Sequence, residues 1–239
     1  MPESMTTAPG GEHSEMMDRV YRHQRHIYDL TRKYYLFGRD RVIHNLGLHP
    51  GDKLVEVGCG TARNLIAIGR RYPGVHLYGL DASHEMLRTA QENVRKAQGK
   101  EQAALKVDIA QGYAEHMDST TFGPGAAPFD RALFSYSLSM IPDWRGALAA
   151  AAATLKPEGL IDIVDFGDLA GLGPLAGGAL RSWLKLFHVK PRAEILGVVE
   201  PAARDLGGDF WISPGRYAFS WRCSPRDLAA LGLSAVANG

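Results

Sequence analysis

Cysteine is scarce. The 239-residue chain has two, Cys59 and Cys223. Two isolated thiols make neither a disulfide framework nor a metal-ligand cluster, and they point to a reducing, cytoplasmic compartment. Neither sign of charge is in excess, at +1 overall. That disfavours a dedicated nucleic-acid binder, which would carry a basic surplus. Long apolar runs are missing as well. The most apolar stretch, residues 159–187, is broken by Asp162, Asp165, Asp168 and Arg181. Any membrane contact is therefore expected to be peripheral, on the inner face, rather than spanning. Residues 1–17 are polar, lack an apolar core of signal-peptide length, and read as a disordered leader.

What is present is an alternation of strands and helices. Residues 18–48 carry helical periodicity interrupted at Gly38 and form a predicted N-terminal cap. His49-Pro50-Gly51-Asp52 is a turn. After it come a strand at 53–57, a glycine turn, a helix at about 62–72 and a second strand at 75–80. Ser83 can cap the next helix. Further strands are predicted at 104–109, 128–135 and 160–166, with an alanine-rich helix at 144–155 and a turn at 156–159. Residues 210–213 and 216–222 flank Pro214-Gly215 as a terminal antiparallel pair. The order implies an α/β, doubly wound, mostly parallel sheet spanning residues 49–239. Residues 168–208 stand out as a helical insertion that can contact substrate or membrane.

Ligands of such sheets sit beyond the carboxyl ends of the strands. Glu56, Gly58 and Gly60 occupy that place after the first strand. The run Val55-Glu56-Val57-Gly58-Cys59-Gly60-Thr61 can open a dinucleotide site, but that pattern wants a third glycine where Arg63 stands. Asp81, ending the second strand, can accept two hydrogen bonds from a ribose diol, and a carboxylate does this strongly. It can equally serve as a helix-entry cap. Cys59 reads as a small turn residue.

Residues 54–64 and 79–90 resemble motifs I and II of class I S-adenosylmethionine-dependent methyltransferases. S-adenosylmethionine has no pyrophosphate, so Arg63 is no obstacle to it. The resemblance implies a Rossmann-like class I methyltransferase sheet with S-adenosylmethionine as cofactor. Glu56 would then orient helix and loop or reach the methionine amino group through water, Asn64 would join it at the cofactor, and Gly58, Cys59 and Gly60 would line the methionine. Asp81 would hold the ribose, and Ala82 and Met86 would flank the adenine. After the third strand the family places an acidic residue where this chain has Tyr113, within Gly112-Tyr113-Ala114-Glu115. Ser135, Tyr136 and Ser137 would face the reacting methyl group.

Most of the chain also resembles a narrower family, the N-methyltransferase of betaine-lipid synthesis, which converts diacylglyceryl-homoserine to its trimethyl form. The carrying residues are Tyr28-Asp29-Leu30-Thr31-Arg32-Lys33-Tyr34-Tyr35-Leu36-Phe37-Gly38-Arg39-Asp40-Arg41 and Phe134-Ser135-Tyr136-Ser137-Leu138-Ser139-Met140-Ile141-Pro142. Tyr21, Arg25, Tyr28, Arg32, Tyr35 and Arg39 recur at helical spacing as one stripe. Arg32, Tyr35 and Arg39 are its candidate substrate ligands, because arginine suits a carboxylate. A solvated face with snorkelling arginines is the plainer alternative. Methyl transfer to nitrogen needs an unprotonated amine, and Tyr28, Tyr136 and His188 are the candidates to orient it or take its proton. Residues 180–190 form a basic amphipathic piece that can lie on a lipid surface or pack on the sheet. The pattern requires no metal. The remaining readings are a phosphatidylethanolamine or quinone-precursor methyltransferase, a non-catalytic scaffold of the same fold, and a nicotinamide oxidoreductase.

Overall fold

The computed structural model describes residues 36–99, 105–173 and 192–233, together with positions 177, 178, 180 and 182. Seven strands form one sheet in the order β3-β2-β1-β4-β5-β7-β6. Their bounds are β1 Lys53–Val57, β2 His76–Asp81, β3 Lys106–Gln111, β4 Phe129–Ser135, β5 Leu155–Phe166, β6 Phe210–Ile212 and β7 Ala218–Cys223. The first five run parallel, while β7 is antiparallel to β5 and to β6. The helices are α1 Arg39–His44, α2 Arg63–Arg71, α3 His84–Gln98, α4 Trp144–Ala153, α5 Ala193–Leu206 and α6 Pro225–Ala230. The order of crossovers reverses between β1 and β4. Their following loops therefore part and leave a crevice at the carboxyl edge.

The central strands are apolar on both faces because both faces are covered. Leu54, Val55 and Val57 of β1 are fully buried. One core, on Phe129, Phe134, Trp144, Phe219 and Trp221, lies on one face. The other gathers Leu54, Leu65, Ile68 and Leu77 with Val42, Ile43 and Leu46 of the N-terminal segment. Each such side chain contributes about 1.5–3 kcal/mol of burial. Helix starts follow local chemistry. Ser83 accepts from the Met86 N–H, Asp143 from the Gly146 N–H, and Ser224 with Asp227 makes a reciprocal capping box.

Three boundaries differ from the sequence expectation. β3 lies two residues later, which brings Gly112 directly to its end. The expected turn at 156–159 is absorbed into β5, whose register against β4 shifts between Phe129 and Arg131. Lys156 there donates to Asp130 at 2.6 Å, so the irregular stretch is held to its neighbour by charge as well as backbone. The alanine-rich helix stops at Ala153, two residues short. Gly38 has a φ of +81°, and a Cβ there would lie 2.6 Å from the Trp211 ring. The interruption in the cap's periodicity is thus a close crossing over β6. Of the expected insertion at 168–208, α5 is present and residues 183–191 lie outside the described residues. Among the described residues no helix is long and apolar enough to cross a membrane.

One buried ionic group ties these parts together. Asp162 on β5 accepts from Arg222 Nε at 2.7 Å and lies 3.5 Å from Arg131. Arg222 also donates to the Asn45 carbonyl at 2.7 Å, fastening the end of α1 to β7. Burial pushes the Asp162 carboxyl up, and the two guanidinium groups oppose that.

Candidate cofactor and acceptor site

The turn after β1 is shaped by positive φ angles, at Gly58 (+76°), Gly60 (+53°) and Ala62 (+60°). The Gly58 and Cys59 N–H groups both donate to the Leu80 carbonyl, at 2.8 and 3.0 Å, locking the turn to β2. A Cβ on Gly58 would stand 2.4 Å from the Ser137 Cβ. Glycine is required there by the protein's own packing, not only by a ligand. Gly79, the first residue of the stretch that resembles motif II, has the matching role from β2. A Cβ there would meet Cys59 Sγ and Leu65 at 2.8 Å. Cys59 is buried, and burial with the Asp81 and Glu56 charges pushes its thiol well up. It packs as an inert small residue.

Two carboxylates flank the turn. Glu56 is buried, and its Oε1 accepts from Asn64 Nδ2 at 2.6 Å, joining the strand end to the first turn of α2. Asp81 accepts from the Gly60 N–H at 2.8 Å through one oxygen and from the Ser83 N–H at 2.9 Å through the other. The carboxylate bridges the glycine turn and the entry to α3, so the capping role is real. A carboxylate has about four acceptor positions, and this one can take ribose hydroxyls while keeping the turn. Beside it the Gly112 N–H donates to the Asp81 carbonyl at 3.1 Å, and Gln111 Nε2 donates to the Ala82 carbonyl at 3.2 Å. Met86 and Ala114 are buried on this side. Tyr113 is half-buried, edge-on to His116 at 6.1 Å.

The end of β4 differs more from expectation. Ser135 is 5% exposed, and its Oγ has no hydrogen-bond partner among the described residues. Ser137 does not stand open toward an acceptor. Its hydroxyl donates to the Val57 carbonyl at 2.6 Å beneath Gly58. Tyr136, a candidate proton acceptor, has a φ of +56°, is buried, and donates its hydroxyl to the Phe37 carbonyl. Burial, then the neighbouring Tyr217 and Asp165, push the phenol well up. The bond to Phe37 and the raised phenol disfavour a phenolate at Tyr136, and the same bond anchors the segment at 36–38. Its ring stands edge-on to Phe166 at 4.7 Å, and Phe166 and Phe37 both stack edgewise on Tyr217.

Asp165, one residue before the end of β5, was noted in the sequence only as a break in an apolar run. It is fully buried. Its oxygens accept from the Ser139 N–H at 2.8 Å and the Phe166 N–H at 2.7 Å, which fixes the loop after β4. Burial raises its carboxyl to about 6. Two carboxylates inside the apolar run Ile161-Asp162-Ile163-Val164-Asp165-Phe166 were the available signal, since such runs keep a charge only where it has partners.

Arg39 is the one described member of the predicted stripe. With Leu36 it closes a narrow cleft of about 30 Å³ against Glu56, Gly58, Asn64 and Ser135. Tyr28, Arg32, Tyr35 and His188 lie outside the described residues. A wider groove of about 410 Å³ runs between α2 and α3 past Arg63, Arg70 and Lys96. The smaller cleft is the one that gathers Glu56, Gly58, Asn64 and Ser135 at the strand ends. An orphaned hydroxyl, a turn made of backbone, two carboxylates and one buried guanidinium suit a zwitterionic nucleoside better than a pyrophosphate, which Glu56 and Asp81 would repel.

A family profile described as a methyltransferase domain matches residues 55–161, from β1 into β5. That match, over somewhat less than half of the chain, supports the class I S-adenosylmethionine-dependent methyltransferase superfamily. S-adenosylmethionine is its cofactor. A ubiquinone/menaquinone biosynthesis C-methyltransferase of Syntrophotalea carbinolica is 25% identical over 189 residues, covering 77% of this chain and 72% of that protein. A demethylmenaquinone methyltransferase of Corynebacterium glutamicum is 29% identical over 144 residues, 58% of this chain. The chain spans 54% of that relative's length. Among solved structures, a Haemonchus contortus phosphoethanolamine N-methyltransferase with S-adenosylhomocysteine superposes with a TM-score of 0.61 over 89% of this chain and 47% of its own. At 18% identity that likeness speaks to the fold.

Proposed function

We propose that this methyltransferase acts on a quinone precursor, methylating carbon. The observation that carries this reading is the similarity to a ubiquinone/menaquinone biosynthesis C-methyltransferase and to a demethylmenaquinone methyltransferase. It replaces the betaine-lipid assignment as the leading reading. The cofactor supplies an electrophilic methyl group on a sulfonium. The chain's own residues hold the nucleoside through the turn at 58–60 and Asp81, and present the end of β4 to the acceptor. Phe37, exposed and braced edge-on by Tyr217 beside that end, offers an aromatic surface that suits a flat ring. An acceptor carbon ortho to a phenolic oxygen is nucleophilic once that hydroxyl loses its proton, so no covalent enzyme intermediate is needed.

Betaine-lipid N-methylation stands as the second reading, favoured by the runs at 28–41 and 134–142, the latter lying at the acceptor end of β4. Under that reading a lipid with an amino-acid headgroup is the partner, and residues 180–190 rest on the bilayer surface. The test is purified protein with S-adenosylmethionine and, in separate reactions, demethylmenaquinone, diacylglyceryl-homoserine or phosphatidylethanolamine. Methyl gain is followed by mass and its position by fragmentation. A methyl on ring carbon supports the leading reading. Turnover of diacylglyceryl-homoserine alone reverses the order of the two, and turnover of phosphatidylethanolamine alone removes both.

A further inference from the structure

We propose that Arg39 binds the carboxylate of the cofactor's methionine, releasing Asp40 to do so, and is not a ligand of the methyl acceptor. The inference rests on the cofactor reading above and adds a binding residue to it. The strand order sets the geometry. Asp81 ends β2 on one side of β1, and Ser135 ends β4 on the other. With the ribose at Asp81, the amino-acid end of the ligand crosses the Gly58 turn toward β4. The cleft there is lined by Gly58, Ser135 and Arg39, with Glu56, held by Asn64, as the acidic group that suits the ligand's ammonium. Arg39 therefore stands at the methionine end.

Its surroundings call for an anion. The side chain of Arg39 is 10% exposed, whereas that of its ion-pair partner Asp40 is 75% exposed. Nε and Nη2 both donate to a single oxygen of Asp40, at 3.0 and 2.8 Å. A guanidinium has five N–H donors in a planar fork, and a carboxylate facing it squarely takes two in parallel. The present pair is not that arrangement, and one partner is in water, where ion pairs contribute little. Across the cleft the Ser135 hydroxyl is buried without a partner among the described residues. A zwitterion satisfies both sides: its carboxylate meets the fork, and its polar atoms reach the hydroxyl. Arg63 lines the same cleft but is exposed, so water screens it.

The test is titration calorimetry on the full chain with S-adenosylmethionine and with its decarboxylated analogue, which keeps the adenosine, sulfonium and amine. Wild type is expected to prefer S-adenosylmethionine. Arg39→Ala should weaken S-adenosylmethionine by roughly 10- to 150-fold, the range for a hydrogen bond to a charged group, and leave the analogue within about twofold. Arg39→Lys, which keeps charge but not the fork, should fall between. Asp40→Asn removes the competitor and should tighten S-adenosylmethionine a few-fold without tightening the analogue. Thermal unfolding of each variant separates binding loss from loss of fold. Equal weakening of both ligands by Arg39→Ala and Arg39→Lys would show a structural role and overturn the proposal. Unchanged S-adenosylmethionine affinity with a raised KM for the acceptor would return Arg39 to the acceptor site and also overturn it. A wild-type chain that binds the analogue as tightly as S-adenosylmethionine overturns the carboxylate contact while leaving the cofactor reading intact. A chain that binds neither overturns both.

Discussion

Gly58→Ala isolates the steric demand at the centre of the site. Two costs add. The backbone is held at a φ of +76°, where an L side chain costs about 1–2 kcal/mol. The new methyl would also stand 2.4 Å from the Ser137 Cβ, with the Ser137 Cα at 3.7 Å. Relieving such overpacking costs about 1–3 kcal/mol. The sum is roughly 2–5 kcal/mol, read as a lowered urea midpoint at unchanged slope. The two costs can be separated because the obstacle is a Cβ and not a hydroxyl. Ser137→Gly should recover the overpacking share in the double variant. Ser137→Ala, which keeps the Cβ, should recover none. S-adenosylmethionine affinity should follow the same pattern, since the turn cannot move without displacing the Gly60 N–H from Asp81. If both Ser137 substitutions rescue Gly58→Ala equally, the obstruction is not at Cβ and the packing argument fails.

Asp81→Ala should weaken S-adenosylmethionine by roughly 1.5–3 kcal/mol in calorimetry, the range for charged hydrogen bonds. It should also lower stability by about 1 kcal/mol, because the Gly60 and Ser83 N–H groups lose their acceptor. Asp165 sets a pH dependence whose sign follows from its raised pKa. Below pH 4 the carboxyl is protonated in folded and unfolded chains alike. Between the ordinary 3.8 and about 6 the unfolded chain ionises first, and stability falls with rising pH. Above 6 the loss levels off, on the order of 3 kcal/mol. Asp165→Asn lacks this contribution, so its stability relative to wild type should improve between pH 4 and 7. A pH-independent difference in urea titrations refutes the assignment. Arg216→Lys should loosen the junction where Arg216 holds Asp168 at 2.9 Å and Glu200 at 2.7 Å. All three groups are partly exposed, so the cost is about 1 kcal/mol or less, shrinking in high salt.

The cofactor half of the site was legible because its chemistry is local in sequence. A short apolar strand, glycines at 58 and 60, and an acid closing the next strand are bound to one another by strand spacing. The structure adds only their hydrogen bonds. Asp81 carried two competing readings, and its bonds to the Gly60 and Ser83 N–H groups show the helix-entry one, while the ribose contact is left to the calorimetry of Asp81→Ala. The acceptor half was not legible, because it depends on contacts between residues far apart in the chain. Nothing in Ser135-Tyr136-Ser137 states that the tyrosine hydroxyl reaches Phe37, or that Ser137 fills the space under Gly58. Side chains that look catalytic in a row turn out to brace two loops.

The same distinction bears on which molecule is methylated. Cofactor contacts come from strand ends whose register is set by backbone pairing, so they persist at low identity. Acceptor contacts are expected from the described groups at the carboxyl edge, the segment ending at Arg39 and the turn at Arg216. Tyr136 fastens the first of these to the sheet through the Phe37 carbonyl, Arg216 ties the second to Asp168 and Glu200, and Arg39 lines the cleft beside them. A substitution in a fastening should therefore change the KM for the acceptor more than that for S-adenosylmethionine, unless the residue also touches the cofactor. Arg39 is expected to break that rule and Arg216 to obey it. Measuring both KM values for Arg39→Lys and Arg216→Lys in one assay decides between them. If the two variants behave alike, the cover is a single mechanical unit, and the carboxylate contact assigned to Arg39 loses its distinguishing consequence.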